Sequence, residues 1–417
     1  MRSSSAWWRD DRLARAAWTR LAEPGDVLVG AAVQVLGAGD ALEHVLRDLP
    51  LPDAVLDALE GAVTRARLDK ALQRWRTRLV DLAPQRDVAT AERFGGRLVV
   101  PADAEWPERL DDLRLTTPVA LWVVGPLALD AAVARSLAVV GSRASTAYGE
   151  HVAAEIGAGV AERGITVVSG AAFGIDAAAH RGALAAPGVT VAVLACGVDR
   201  YYPAAHEGLL RRIAADGLVV AEVPPGSTPM RDRFLQRNRL IAALAGGTVV
   251  VEAAWRSGAL STASSAAGLG RPLGAVPGPV TSAASAGCHR VLRDFGATCV
   301  TDAAEAAELV QVVGAGLPPE PEVPRAEHDG LSDLDVRVLD ALPVRRGAPP
   351  SSLVRVAGLP LADVQRGLAR LHLLGLAEPL RGDGERVWRR IRPAPAARMR
   401  PTPPSTELRH ARATGRG

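Results

Sequence analysis

The sequence predicts an α/β protein built on an extended, doubly wound parallel sheet of the Rossmann type, with a small helical N-terminal domain and a C-terminal winged helix. Three observations lead there. Short β-branched runs alternate with helix-like segments from Leu137 onward, the pattern of parallel strands covered on both faces. Before them, apolar residues recur at helical spacing. After them, a Pro-rich linker leads to three helical segments and a hairpin signal.

Residues 1–85 read as the helical domain. Arg12–Leu21, Ala41–Arg47 and Leu56–Leu79 carry the apolar stripes, broken by Pro24-Gly25 and Pro50-Leu51-Pro52. Trp7, Trp8, Trp18 and Trp75 cluster here and read as core, with base stacking as the alternative. Residues 86–313 form the central domain, with strands at Leu137–Val140, Ile165–Ser169, Thr190–Cys196, Gly217–Ala221, Thr248–Val251 and Leu273–Val276. Ligands of such a sheet bind at the carboxyl ends of its strands. The linker is 314–329, with Pro318, Pro319, Pro321 and Pro324. In 330–392, helices Ser332–Leu342 (Ser332 as N-cap), Ser351–Ala357 and Leu361–Leu374 precede a hairpin turning at Gly382-Asp383-Gly384. The tail 393–417 is rich in Arg and Pro and is expected to be disordered.

Composition narrows the function. A chain of 417 residues, 48% hydrophobic, supports two or three domains, and no apolar run reaches membrane-spanning length. Met1–Arg15 has no apolar signal core, so a cytoplasmic location is expected. Cys196, Cys288 and Cys299 form no CxxC pair, so neither a disulfide framework nor a metal site is expected. Lys70 is the only lysine, so phosphate contacts must be arginine forks. P-loop, dinucleotide-binding GxGxxG, GxSxG and HExxH patterns are all missing, and His180, His206 and His289 are scattered. No cofactor and no catalytic residue are expected.

The remaining motifs suit a phosphodiester chain. Gly141-Ser142-Arg143 ends a strand and precedes a helix, where backbone N–H groups converge on an anion and an arginine is at hand. Ser169-Gly170 to Phe173-Gly174-Ile175-Asp176 is a second such turn on the same rim, with Asp176 a candidate cap for the helix starting at Ala177. Gln236-Arg237-Asn238-Arg239 poses a conflict. In one continuous helix, Arg237 falls in the apolar stripe and needs a partner; if the helix begins at Gln236, a bound phosphate resolves the unfavourable dipole. The second arrangement is the preferred reading. Glu252 ends a strand and could pair with Arg237 or Arg239, or act as a catalytic carboxylate. Arg256-Ser257-Gly258 and Pro277-Gly278-Pro279 complete the rim.

In this order the motifs resemble the DNA-processing protein A (DprA/Smf) family: Val139-Val140-Gly141-Ser142-Arg143, Ser169-Gly170 with Gly174-Ile175-Asp176-Ala177-Ala178-Ala179-His180, Gln236-Arg237-Asn238-Arg239, Val250-Val251-Glu252-Ala253, Arg256-Ser257-Gly258-Ala259-Leu260 and Val276-Pro277-Gly278-Pro279. The resemblance implies a SAM-like N-terminal domain and a non-enzymatic protein that binds single-stranded DNA. Such a protein protects incoming strands in natural transformation, loads the RecA recombinase and dimerises through the Rossmann domain. It implies DNA contacts from Gly141, Ser142, Arg143, Ser169, Gly170, Phe173, Gly174, Gln236, Arg237, Asn238, Arg239, Arg256 and Ser257. Phe173 departs from the family, which usually places Arg or Lys there, and either stacks on a base or joins the core. Between Arg135 and Glu308 stand 15 Arg and 14 acidic residues, so binding must come from a local patch. Two rivals remain: a nucleotide-cleaving Rossmann enzyme using Gly246-Gly247-Thr248 and Glu252, and a duplex-DNA regulator reading with Arg366 and Arg370.

Overall fold

The computed structural model describes residues 6–311, 330–381 and 386–391. The expected linker (314–329), the Gly382-Asp383-Gly384 turn and the tail (393–417) lie outside the described residues. The chain divides into two compact units, Met1–Pro318 and Pro319–Gly417.

The first unit opens with helices Asp11–Leu21, Val27–Leu36, Ala38–Leu46, Asp53–Asp57, Arg65–Thr77 and Pro84–Arg93. Asp10, Asp26 and Thr64 cap three of them by accepting from backbone N–H groups of Leu13, Leu28 and Arg67. Trp18 and Trp75 meet edge to face at 5.2 Å and are fully buried, as the core reading expects. Val27–Leu36 escaped periodicity because it is apolar nearly all round, and the expected Leu56–Leu79 helix breaks where Thr64 caps a new start.

Nine strands form the sheet: β1 Gly96–Val99, β2 Leu121–Val124, β3 Ser136–Val140, β4 Thr166–Ser169, β5 Thr190–Leu194, β6 Leu218–Ala221, β7 Gly247–Val250, β8 Leu273–Ala275 and β9 Thr298–Cys299. Their order is β1-β2-β6-β5-β4-β3-β7-β8-β9. The six expected strands are all present and parallel. The sheet is not wholly parallel, however: β2 joins β6 antiparallel and β1 joins β2 antiparallel. Along β3, Leu137 and Val139 enter one core layer while Ala138 and Val140 enter the other, so both faces are covered.

Two local expectations fail. Arg231–Leu244 is one continuous helix, not a helix starting at Gln236. Asp176 does not cap its own helix, which runs Ile175–Ala185 from Gly174; its carboxylate instead accepts from Gly170 N and Ala172 N, bracing the preceding turn.

The second unit holds helices Asp333–Ala341, Pro350–Ala357 and Leu361–Leu373. Ser332 caps the first by accepting from Asp335 N, and Gly358 ends the second at φ 64°, a left-handed conformation natural to glycine. Antiparallel β10 (Ala377–Arg381) and β11 (Arg386–Arg390) follow, and Val338, Leu339, Leu353, Val364, Leu368 and Leu371 make its core.

Candidate nucleic-acid interface

The strand order reverses at β3: β4, β5 and β6 run out on one side, β7, β8 and β9 on the other. Crossover helices diverge at such a switch point and leave a crevice at the carboxyl ends of the strands. A cleft of about 560 Å³ opens there, bounded by Gly141-Ser142-Arg143 after β3, Ala172 after β4, Arg256-Ser257 after β7, and the helix Arg231–Leu244.

The β3 turn is locked to the end of β7. Ser142 N donates to Glu252 O at 2.7 Å. A Cβ on Gly141 would lie 2.5 Å from Ile175 Cγ1 and 2.8 Å from Glu252 O, so only glycine fits. The Glu252 carboxylate accepts from Thr146 N at 2.9 Å and from the Thr146 hydroxyl at 2.7 Å. It therefore sits at the start of helix Ala147–Glu162, where the dipole favours negative charge. The anion position suggested by the β3 turn is filled by the protein's own glutamate. Glu252 pairs with neither Arg237 nor Arg239, contrary to the expectation above.

Arg237 is buried within its helix and points at the sheet, not at solvent. Its Nη1 donates to Gly170 O at 2.8 Å and also to Val193 O, at the ends of β4 and β5; Nε donates to Asn238 Oδ1 at 3.3 Å. A Cβ on Gly170 would fall 2.2 Å from this guanidinium, which explains the glycine. Burial pulls the Arg237 pKa down to about 10, against the raising influence of nearby Asp176, whose own carboxyl is pushed up by burial. The side chain satisfies strand-end carbonyls that a parallel sheet leaves without partners. Asn238 Nδ2 donates to Gly258 O at 3.2 Å, tying the same helix to the β7 loop.

The accessible cations of the cleft are Arg143, Arg231 and Arg256, all exposed and, among the described residues, without a carboxylate partner. Aromatic rings lie close by. The Arg143 guanidinium lies 4.7 Å from the Phe234 ring centroid, and Phe234 is 5.8 Å from Tyr202. Phe173, 48% exposed, meets His206 edge-on at 4.7 Å and follows Ala172 on the rim. That exposure removes the core reading of Phe173. Guanidinium forks and one aromatic ring thus line the cleft, with two further rings, Tyr202 and Phe173, beside it.

Sequence comparison matches residues 97–311 to the family described as DNA recombination-mediator protein A. A DprA-type protein of Mycobacterium tuberculosis is 44% identical over 375 residues, covering 87% of this chain and 92% of its own length. The Escherichia coli protein Smf is 37% identical over 300 residues, 70% of this chain and 78% of that protein. Among solved structures, DNA processing protein A from Streptococcus pneumoniae aligns with a TM-score of 0.56 and 29% identity, over 73% of this chain and 98% of that one. The chain belongs to the DprA family. It is thus one of the family's DNA-processing proteins of recombination.

Within this chain, the expected site residues divide. Gly141, Ser142, Arg143, Arg237, Asn238, Arg256 and Ser257 line the cleft. Ser169 and Gly170 are buried beneath it: the Ser169 hydroxyl donates to Val139 O at 2.6 Å, and Gly170 is covered by Arg237. Gly174 packs on Ser142, whose carbonyl accepts from Ile175 N at 3.2 Å. Gln236 and Arg239 turn the other way, toward Gly25 of the helical N-terminal segment. Arg239 forms a buried ion pair with Glu222 at 2.6 Å. The Gln-Arg-Asn-Arg motif therefore serves two faces of one helix. Phe234, Tyr202 and Arg231 were missed. The i, i+3 spacing of Arg231 and Phe234 on one helix was the available signal; Tyr202 carried none.

Proposed function

We propose that this chain binds single-stranded DNA in the switch-point cleft, without cleaving it. One observation carries the reading: three exposed arginines without carboxylate partners line one cleft together with Phe234, with Tyr202 packed on Phe234 and the exposed Phe173 next to the lining residue Ala172. A strand's phosphates take the forks and its unpaired bases take the rings, which a duplex hides and a mononucleotide cannot span. Arg143, Phe173 and Arg256 are the expected contacts; Arg237, Asn238, Gly170 and Ser169 shape the floor. Gln236 and Arg239 hold the helix and leave the contact list. In the cell the protein would protect incoming strands in natural transformation and load RecA onto them, acting in the cytoplasm as a homodimer formed through the Rossmann domain. The second unit is read as a winged helix.

The rivals lose their supports. Gly246-Gly247 stands at the amino end of β7, against Val310 and Ser136, on the rim opposite the cleft. Glu252 is engaged by Thr146. The helix Leu361–Leu373 offers only Arg366 and Arg370 as arginines, a thin set for phosphate and groove contacts. Competition among single-stranded DNA, duplex DNA and nucleoside monophosphates tests the reading. Single strands should displace a labelled oligonucleotide best. Equal competition by duplex at moderate salt, or release of free base from the monophosphates, would defeat it.

A further inference from the structure

Of the eight tryptophans, seven are buried or half-buried, while Trp255 is 55% exposed. Large aromatic rings are usually packed away, so a solitary exposed indole invites a search for what it faces. Trp255 stands in the loop after β7, directly before Arg256 on the cleft wall. Arg290, from helix Ala286–Asp294, places its guanidinium 5.4 Å from the ring centroid. The Arg290 Nε lies 3.2 Å from Asp294, in an exposed i, i+4 pair that holds little charge back from a ligand. An exposed indole with one guanidinium over its ring thus follows directly on the cleft residue Arg256 in the chain.

We propose that Trp255 is a second stacking platform for single-stranded DNA: a strand leaving the cleft past Arg256 lays a base on the indole, with Arg256 and Arg290 at the flanking phosphates. The proposal rests on the reading of the cleft given above and extends it by one subsite. Continuity with the cleft and the positive charge of Arg256 and Arg290 favour a polyanion over an apolar partner. The indole has a π-face for any base, so the subsite adds affinity without sequence preference.

The test uses the full chain and a length series of oligothymidylates. In the wild-type protein, affinity should step up once the oligonucleotide outgrows the cleft, and tryptophan fluorescence should be quenched at the same length. Trp255→Leu should abolish that step, lowering affinity for long strands by about tenfold or more. Affinity for the shortest binders should stay unchanged, and Trp255→Phe should restore part of the step. Equal loss at every length, or no loss, overturns the subsite. So does a shift in sedimentation of the DNA-free Trp255→Leu protein with affinity per protomer intact, which would make the indole a contact between copies. If the wild-type protein binds no single strand at all, the cleft reading itself has failed, a result distinct from a missing step.

Discussion

Arg143 and Arg237 are both arginines of the cleft, and their surroundings give them different work. Arg143 is exposed and its fork is free, so Arg143→Ala should leave stability nearly unchanged and weaken binding of single strands. Losing one phosphate contact should also flatten the plot of log affinity against log salt by about 0.7. An unchanged slope in a salt-dependent titration would place Arg143 outside the contact. Arg237→Ala should instead cost about 2–5 kcal/mol, because it strands the carbonyls of Gly170 and Val193 and leaves Asp176 without its countercharge. Urea unfolding would read that loss, and a native-like midpoint would contradict the floor role. His180 gives a pH prediction. Its Nδ1 bonds to the Thr190 hydroxyl at 2.6 Å, and burial pulls its pKa down to about 3 from 6.5. Between those values the unfolded chain binds a proton that the folded one refuses, so this residue lowers stability as pH falls through that window, by about 1.4 kcal/mol per unit. Asp176, with its pKa raised, acts in the opposite sense above pH 3.8: the folded chain holds the extra proton, and stability falls as pH rises. The difference between wild type and His180→Asn isolates the histidine: the penalty of the substitution should shrink as pH drops from 6.5 toward 4. A constant penalty would mean that His180 charges in the folded protein.

At the scale of the element, the helix Arg231–Leu244 divides its labour by face. Arg231, Phe234, Arg237 and Asn238 border the cleft. Arg233 holds Glu23 at 2.8 Å, and Arg239 holds Glu222 at 2.6 Å beside Gly25. Glu23, in the loop after Asp11–Leu21, is shared with Arg78, which ends the helix Arg65–Thr77, so one carboxylate ties the N-terminal segment to the cleft-bordering helix. The Glu222 pair is buried and the Glu23 pairs are partly exposed, so they should differ in weight. Glu222→Ala, which leaves a buried guanidinium uncompensated, should lose about 3–5 kcal/mol, whereas Glu23→Ala should lose about 1 kcal/mol or less. Denaturant midpoints of the two variants measure this ranking, and a reversal would show that the seam is organised around Glu23.

Over the whole molecule, near-neutral charge makes long-range attraction weak and leaves binding to local contacts. Three free arginines set the scale: single-strand affinity should fall with salt at a log–log slope of about −2. A slope near zero would mean that the forks do not meet phosphate. A much steeper one would bring in cations from elsewhere in the chain. The cleft lies wholly within Met1–Pro318, whose core is separate from that of the second unit. A fragment ending at Pro318 should therefore keep the wild-type slope, and its loss would assign phosphate contacts to the second unit.

Much of the architecture was legible before any coordinates. The six parallel strands showed as β-branched runs because burial on both faces leaves no room for alternation, and the turn at Gly141 showed because only glycine tolerates so close a neighbour. Strands β1 and β2 were not legible, because they precede the strand–helix alternation and join the sheet antiparallel, and neither was the two-residue β9. The motifs were visible, but not the direction in which each side chain points. Glu252 reached a helix start, Arg237 turned down onto strand ends, and Arg239 turned toward the N-terminal helices. The residue string determined which charges this protein has and on which elements they stand. The tertiary structure alone decided which remain free for a ligand, because a buried charge must find its partner inside the fold and an exposed one need not.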